Sequence, residues 1–179
     1  MVVSIARLNS SDVDFVATLE KLIAWEGVSN SDVEQTVAEI LRQVRARGDG
    51  ALIEYSNRFD RRDCVNFEEF CLGPEHLLEA LESIDSVTRE ALQTAASRIR
   101  DYHRHQVQES WQFTEADGTV LGQQVTPLER VGIYVPGGKA SYPSSVLMNG
   151  IPARVAGVEE VIMVVPAPDN ELSPIVLAA

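Results

Sequence analysis

Tyr134, Pro136, Gly137 and Gly138 follow one another closely in RVGIYVPGGKASYPSS, residues 130–145. Residues 130–135 read as a strand, so the tyrosine stands at its carboxyl end and the glycines form the turn beyond it. Glycine carries no Cβ and accepts positive φ, which lets a backbone and a ligand approach closely. Open α/β sheets bind ligands beyond the carboxyl ends of their strands. Tyr134 offers there a ring for stacking and a hydroxyl for hydrogen bonding. A tyrosine in this pattern can equally be a core residue beside a tight turn, and spacing alone divides the two readings evenly. The dinucleotide fingerprint G-x-G-x-x-G is absent.

The other reactive side chains are scattered. His103 and His105 are two apart in a predicted helix and point away from each other, so they cannot chelate one ion. His76 stands alone in a first helical turn, and all three histidines read as surface or helix-end residues. Cys64 and Cys71 are the only cysteines. Seven apart in one predicted strand, they fall on opposite faces, which disfavours a disulfide. Without a histidine cluster they make a poor zinc site, and both read as buried small hydrophobes. The Glu68-Glu69 and Glu159-Glu160 pairs read as solvated faces. H-E-x-x-H, G-x-S-x-G and Walker A patterns are all missing.

Several elements must position the Tyr134 turn. Residues 130–135, an interrupted helical crossover and residues 160–165 form a βαβ unit. Upstream, Val13, Val16, Leu19, Leu22 and Ile23 share one helical face, in a helix ending near Trp25-Glu26-Gly27. Ser31-x-x-Glu34 is a capping box for a second helix that stops at Gly48. Asp49 is the expected N-cap of a third helix, DGALIEYSNRFD. Residues 65–72 alternate like a strand, Pro74 opens a helix, and a longer helix runs over 86–106. Asp117-Gly118 suits a two-residue type I′ turn between strands in WQFTEADGTVLGQQVTP. Ser173 and Pro174 open a last helix as N-cap and first residue. That helix has a start signal and no stop signal, which reads as a truncated chain.

The run VGIYVPGG followed by PSSVLMNGIPARVAGV, and separately GDGALIEYSNRFD, resemble the histidinol dehydrogenase family. The resemblance implies an α/β fold. It would comprise an N-terminal helical segment (1–30), part of a first α/β domain with its hairpin (31–129), and the first βαβ unit (130–179) of an incomplete, doubly wound, Rossmann-like NAD domain. It implies NAD-dependent oxidation of L-histidinol to L-histidine through histidinal, in histidine biosynthesis, by a cytoplasmic homodimer. It further implies that Tyr134 contacts NAD, with Pro136 in the same loop and Phe59 nearby. For Phe59 a core role at the helix end is equally open. The family's zinc ligands (Gln, His, Asp and His) and its Glu-His acid–base pair match no residue of these 179. Catalytic and metal residues are therefore expected to be none, and the chain alone inactive. The reading from another class is a non-catalytic binding or assembly module related to the family. An aldehyde-dehydrogenase-like piece would need a nucleophilic cysteine that neither Cys64 nor Cys71 is placed to be.

Composition excludes other classes. Net charge is −12, with hydrophobic residues 45% and charged residues 23% of the chain. That surface disfavours a nucleic-acid partner, which needs a basic footprint. Apolar runs fall short of the roughly 20 residues that span a bilayer, and the first residues lack the pattern of a secretory signal.

Overall fold

The computed structural model describes residues 7–23, 30–136 and 141–179, with only the backbone of residues 30 and 31. The chain divides into two compact units, Met1–Tyr55 and Ser56–Ala179. Its fold is mixed α/β: helices dominate the first half, and two small, incomplete sheets follow.

The first unit contains α1 (Phe15–Ile23), α2 (Asn30–Arg47) and the opening turns of α3 (Asp49–Asp60). The apolar stripe of α1 is exposed at Val16, Leu19, Leu22 and Ile23. Its expected end at Trp25-Glu26-Gly27 lies outside the described residues. Helix α2 begins at Asn30, one residue before Ser31, so the Ser31 box is shifted into the helix. Gly48 ends α2 in the left-handed region, with φ +59°. A glycine is needed at this joint because a Cβ is disfavoured at that φ. The Gly48 carbonyl accepts from the N–H groups of Ala51 and Leu52 at 3.1 and 3.3 Å. Gly48 is thus the cap of α3, and Asp49, read as its N-cap, is the first helical residue. There its carboxylate still favours the positive end of the helix dipole.

The second unit carries the end of α3, α4 (Pro74–Ser83), α5 (Ser86–Arg104), the antiparallel pair β1 (Trp111–Thr114) and β2 (Val120–Gln123), then β3 (Arg130–Tyr134), α6 (Pro143–Val155), β4 (Glu160–Val164) and α7 (Pro174–Ala178). Helix α4 packs on α7, and α5 on α6. Arg89 of α5 donates to the carbonyls of Leu81 and Glu82 at 2.8 and 3.3 Å, so it satisfies the open end of α4. Helix α6 runs unbroken through Pro152, where the sequence reads as an interrupted crossover.

Three local expectations are corrected. Residues 65–72 are not a strand: Phe67–Phe70 is a 3-10 turn. Asn66 accepts from the Glu69 N–H at 3.2 Å and donates to the Glu69 carboxylate at 2.9 Å, and Phe67 stacks on Phe70. This reciprocal capping outweighs the alternation of residues 65–72. Within the same region Cys71 is exposed rather than buried, while Cys64 is buried, and both are free. The hairpin is not a two-residue type I′ turn, which needs positive φ at both central residues. Gly118 has φ +92° but Asp117 is not left-handed. The Glu115 N–H bonds the Thr119 carbonyl at 2.8 Å and the Gly118 N–H bonds the Glu115 carbonyl at 3.0 Å. The loop is therefore three residues long, the form in which a turn is followed by one left-handed glycine.

Asp85 caps α5, accepting from the Thr88 N–H at 2.9 Å and the Thr88 hydroxyl at 2.7 Å. These bonds hold its carboxyl below the ordinary 3.8. A carboxylate with a lowered folded-state pKa contributes stability that is present above its unfolded value and lost as pH falls through the folded one. Asp85→Ala is therefore expected to lower the melting temperature by roughly 2–4 °C at pH 7. The gap from the parent closes as the pH drops below 3.8. Melts of both proteins across that range check it; a gap of constant size would show that the cap is not the cause.

Candidate functional site

Strands β3 and β4 run parallel, with Arg130 opposite Glu160 and Tyr134 opposite Val164. Parallel neighbours need a crossover, and α6 supplies it. Helix α6 lies over the Val131 and Ile133 face, with Gly150 turned toward the Ile133 methyl. Arg130 and Glu160 are paired at 2.5 Å across the amino ends of the strands. Val135 continues the ladder one residue past β3, its N–H donating to the Val164 carbonyl at 2.9 Å, and it is fully buried.

Tyr134 therefore stands at the carboxyl edge of the pair, on the face away from α6. It is 64% exposed, beside exposed Ile162 and Val164. Strand alternation decides this: Tyr134 shares a face with Gly132, opposite to buried-side Val131 and Ile133. Among the described residues nothing packs over the Tyr134 ring closely enough to bury it. Pro136, two residues on, is exposed. Gly137 and Gly138 lie outside the described residues. A cleft lined by Pro127, Leu128, Arg130, Gly157, Glu159 and Glu160 sits at the other, amino end of the strands.

Phe59 occupies the last turn of α3, 47% exposed, with the Arg58 guanidinium 5.1 Å from its ring centroid. The chain after Phe59 is fastened in three ways that local sequence does not announce. The Asn57 amide donates to the Cys64 carbonyl at 2.8 Å and accepts from the Cys64 N–H at 3.0 Å, acting like one rung of a ladder. Arg62 lies over the Phe70 ring at 4.5 Å. Arg61 reaches Asp169, in the turn that follows β4, through two parallel bonds: Nε to Oδ1 at 2.7 Å, and Nη2 to Oδ2. The arginine holds the Asp169 carboxyl below its ordinary range, chiefly through the hydrogen bond and then through its charge. Arg61 and Asp169 have φ of +53° and +57°, and Asn170 of +61°. An L side chain in that region costs about 1–2 kcal/mol unless neighbours hold it there.

The end of α3, which carries Phe59, is thus joined to the turn after β4, the strand whose Val164 lies opposite Tyr134 of β3. Ser173 occupies the N-cap position of α7, but its hydroxyl bonds the Ser141 hydroxyl at 2.8 Å instead of capping the helix. That contact ties the approach to α6 to the same edge. Among the described residues no group of three or more His, Cys, Asp or Glu side chains could hold a metal ion. No helix among them is long and apolar enough to cross a membrane.

A parallel βαβ unit with an exposed tyrosine at its carboxyl edge has the layout of an open α/β sheet. Residues 24–179 match the family model described as histidinol dehydrogenase. The chain belongs to the histidinol dehydrogenase family. It is 58% identical over 176 residues to the histidinol dehydrogenase of Pseudomonas putida, covering 98% of this chain and 40% of that one. The corresponding enzyme of Aromatoleum aromaticum is 54% identical over 176 residues, again with 98% and 40% covered. The crystal structure of histidinol dehydrogenase from Elizabethkingia anophelis superposes with a TM-score of 0.74 at 26% identity, covering 88% of this chain and 37% of that one. The chain thus spans about two fifths of the length of the relatives it matches.

Proposed function

We propose that this chain contributes one wall of the NAD cleft of a zinc-dependent histidinol dehydrogenase, which oxidises L-histidinol to L-histidine by way of histidinal. The observation that carries the reading is Tyr134, exposed at the carboxyl edge of β3 beside Pro136, in a chain that matches this family over residues 24–179. Tyr134 stacks against the dinucleotide, Pro136 shapes the adjoining loop, and Phe59 approaches from the α3 side. NAD accepts hydride in the two successive oxidations when it is bound. The zinc ligands and the acid–base pair come from residues other than these 179, so the chain alone is inactive.

The working unit is a cytoplasmic homodimer. In support, the exposed apolar stripe of α1 needs a covering surface.

Saturation-transfer NMR and calorimetric titration with NAD test the cofactor reading, alongside an assay of L-histidinol-dependent NAD reduction and metal analysis after chelator washing. Weak NAD binding with no turnover and no retained zinc is expected. One tightly held zinc per chain, or turnover by the chain alone, would overturn the assignment of roles; failure to bind NAD would remove the cofactor wall.

A further inference from the structure

We propose that Arg61 is a positioning residue. Through its paired bonds to Asp169 it holds the end of α3, which carries Phe59, against the turn leaving β4, and so fixes the two sides of the cofactor cleft relative to each other. The inference rests on the NAD reading above and names the residue that shapes that same site.

Three observations converge on it. The pair is bidentate, and a planar guanidinium meeting a carboxylate through two bonds fixes orientation as well as distance. It is also long-range, joining residues 108 apart in sequence, so it cannot serve the local stability of α3 or of the Asp169 turn alone. Both partners, finally, occupy the left-handed backbone region at the points where their segments turn. Arg61 takes the place after α3 where glycine is the usual choice. Its side chain is thereby aimed away from the helix axis and toward the β4 turn, while Arg62 goes to Phe70.

The placement ties these contacts to the cofactor. Phe59 lies two residues before Arg61, and Asp169 lies five residues after Val164, the ladder partner of Tyr134. The ion pair is a side-chain link between the Phe59 segment and the turn after β4. Its partners are well exposed, at 64% and 52%. An exposed pair adds little to global stability. Its effect is therefore local, on the geometry and opening of the two segments it joins.

The test uses Arg61→Ala, Asp169→Ala, Arg61→Lys and the exchanged pair Arg61→Asp with Asp169→Arg, each in the whole chain. Amide exchange over residues 58–63 and 166–173, without nucleotide, reads the positioning directly. Both alanine variants are expected to speed exchange at the two segments together, with the melting temperature nearly unchanged. NAD affinity falls about three- to fivefold, as for loss of an exposed pair. Lysine, which makes a single point contact, recovers only part, and the exchanged pair restores both readouts.

Unchanged exchange in the alanine variants would overturn the positioning role. Weakened NAD binding that the exchanged pair does not restore would overturn it too, because Arg61 would then touch the nucleotide itself. Tyr134→Ala in parallel separates the two levels of the argument. If NAD binding is absent from the parent or indifferent to Tyr134, the cofactor reading fails and the cleft half of this inference with it. The exchange data still decide whether the pair holds the two segments.

Discussion

Val135→Asp leaves the second unit without a stable folded state at neutral pH. Val135 is fully buried, and its N–H is already committed to the Val164 carbonyl, so the strand cannot roll the new carboxylate outward without breaking the ladder. An unpaired buried charge costs several kcal/mol even after relaxation, against a total stability of about 5–15 kcal/mol for a domain. Val135→Ala is the measured comparison. It removes two methyl groups and is expected to cost about 1.5–2.5 kcal/mol while leaving the fold intact.

Denaturant titrations followed by the fluorescence of Trp111, which lies in the affected unit, report both variants. The sign with pH is also determined. Burial raises a carboxyl's pKa in the folded state, so the aspartate variant regains stability as pH falls and the group becomes neutral. A denaturation midpoint for Val135→Asp within error of the parent's at pH 7 would mean the site is open to water.

On the proposed cofactor reading, Tyr134→Ala is expected to reduce NAD affinity by about tenfold, with little change in the melting temperature. The ring is largely exposed on the strand edge, so its removal leaves no cavity and little lost burial. Stacking of a nucleotide ring on an aromatic side chain is worth about 1–3 kcal/mol, and tenfold corresponds to about 1.4 kcal/mol. Tyr134→Phe separates the ring from the hydroxyl: most of the affinity returns if stacking dominates, and little returns if the hydroxyl supplies the contact. NAD titration of the three proteins under one buffer decides the matter. Equal affinities for parent and alanine variant would make Tyr134 a bystander on an exposed sheet face.

On the proposed reading Arg61 and Tyr134 act on the same ligand by different means, so their effects are not expected to add. Residues that shape one site often couple. If Arg61 positions the Phe59 side of the cleft, losing the ion pair matters less once the Tyr134 ring is gone, and the double variant shows less than the product of the two single effects.

The sequence by itself determined what depends on near neighbours. The 3.6-residue spacing of apolar side chains and the Pro74 start signal set α4 and α5, within two residues at the far end of α5. The apolar runs around residues 130–135 and 160–165 set a parallel pair, because a crossover helix lies between them. The family was legible in VGIYVPGG and GDGALIEYSNRFD, since a long run of matched residues is far more specific than a glycine pattern. Local competition was harder to read. Residues 65–72 alternate like a strand, yet Asn66 and Glu69 cap one another, and a few hydrogen bonds over so short a stretch decide the outcome. The hairpin turned on a single φ, that of Asp117, which residue type alone does not specify.

Only the tertiary structure decided which face of the strand α6 covers, that Ser173 bonds Ser141 rather than its own helix, and that Arg61 finds Asp169. Such choices depend on where packing of α6 on the sheet, and of α4 on α7, places segments far apart in the chain. A side chain of fixed type can satisfy its hydrogen bonds in several ways, and the partner it meets is set by the summed burial of everything else.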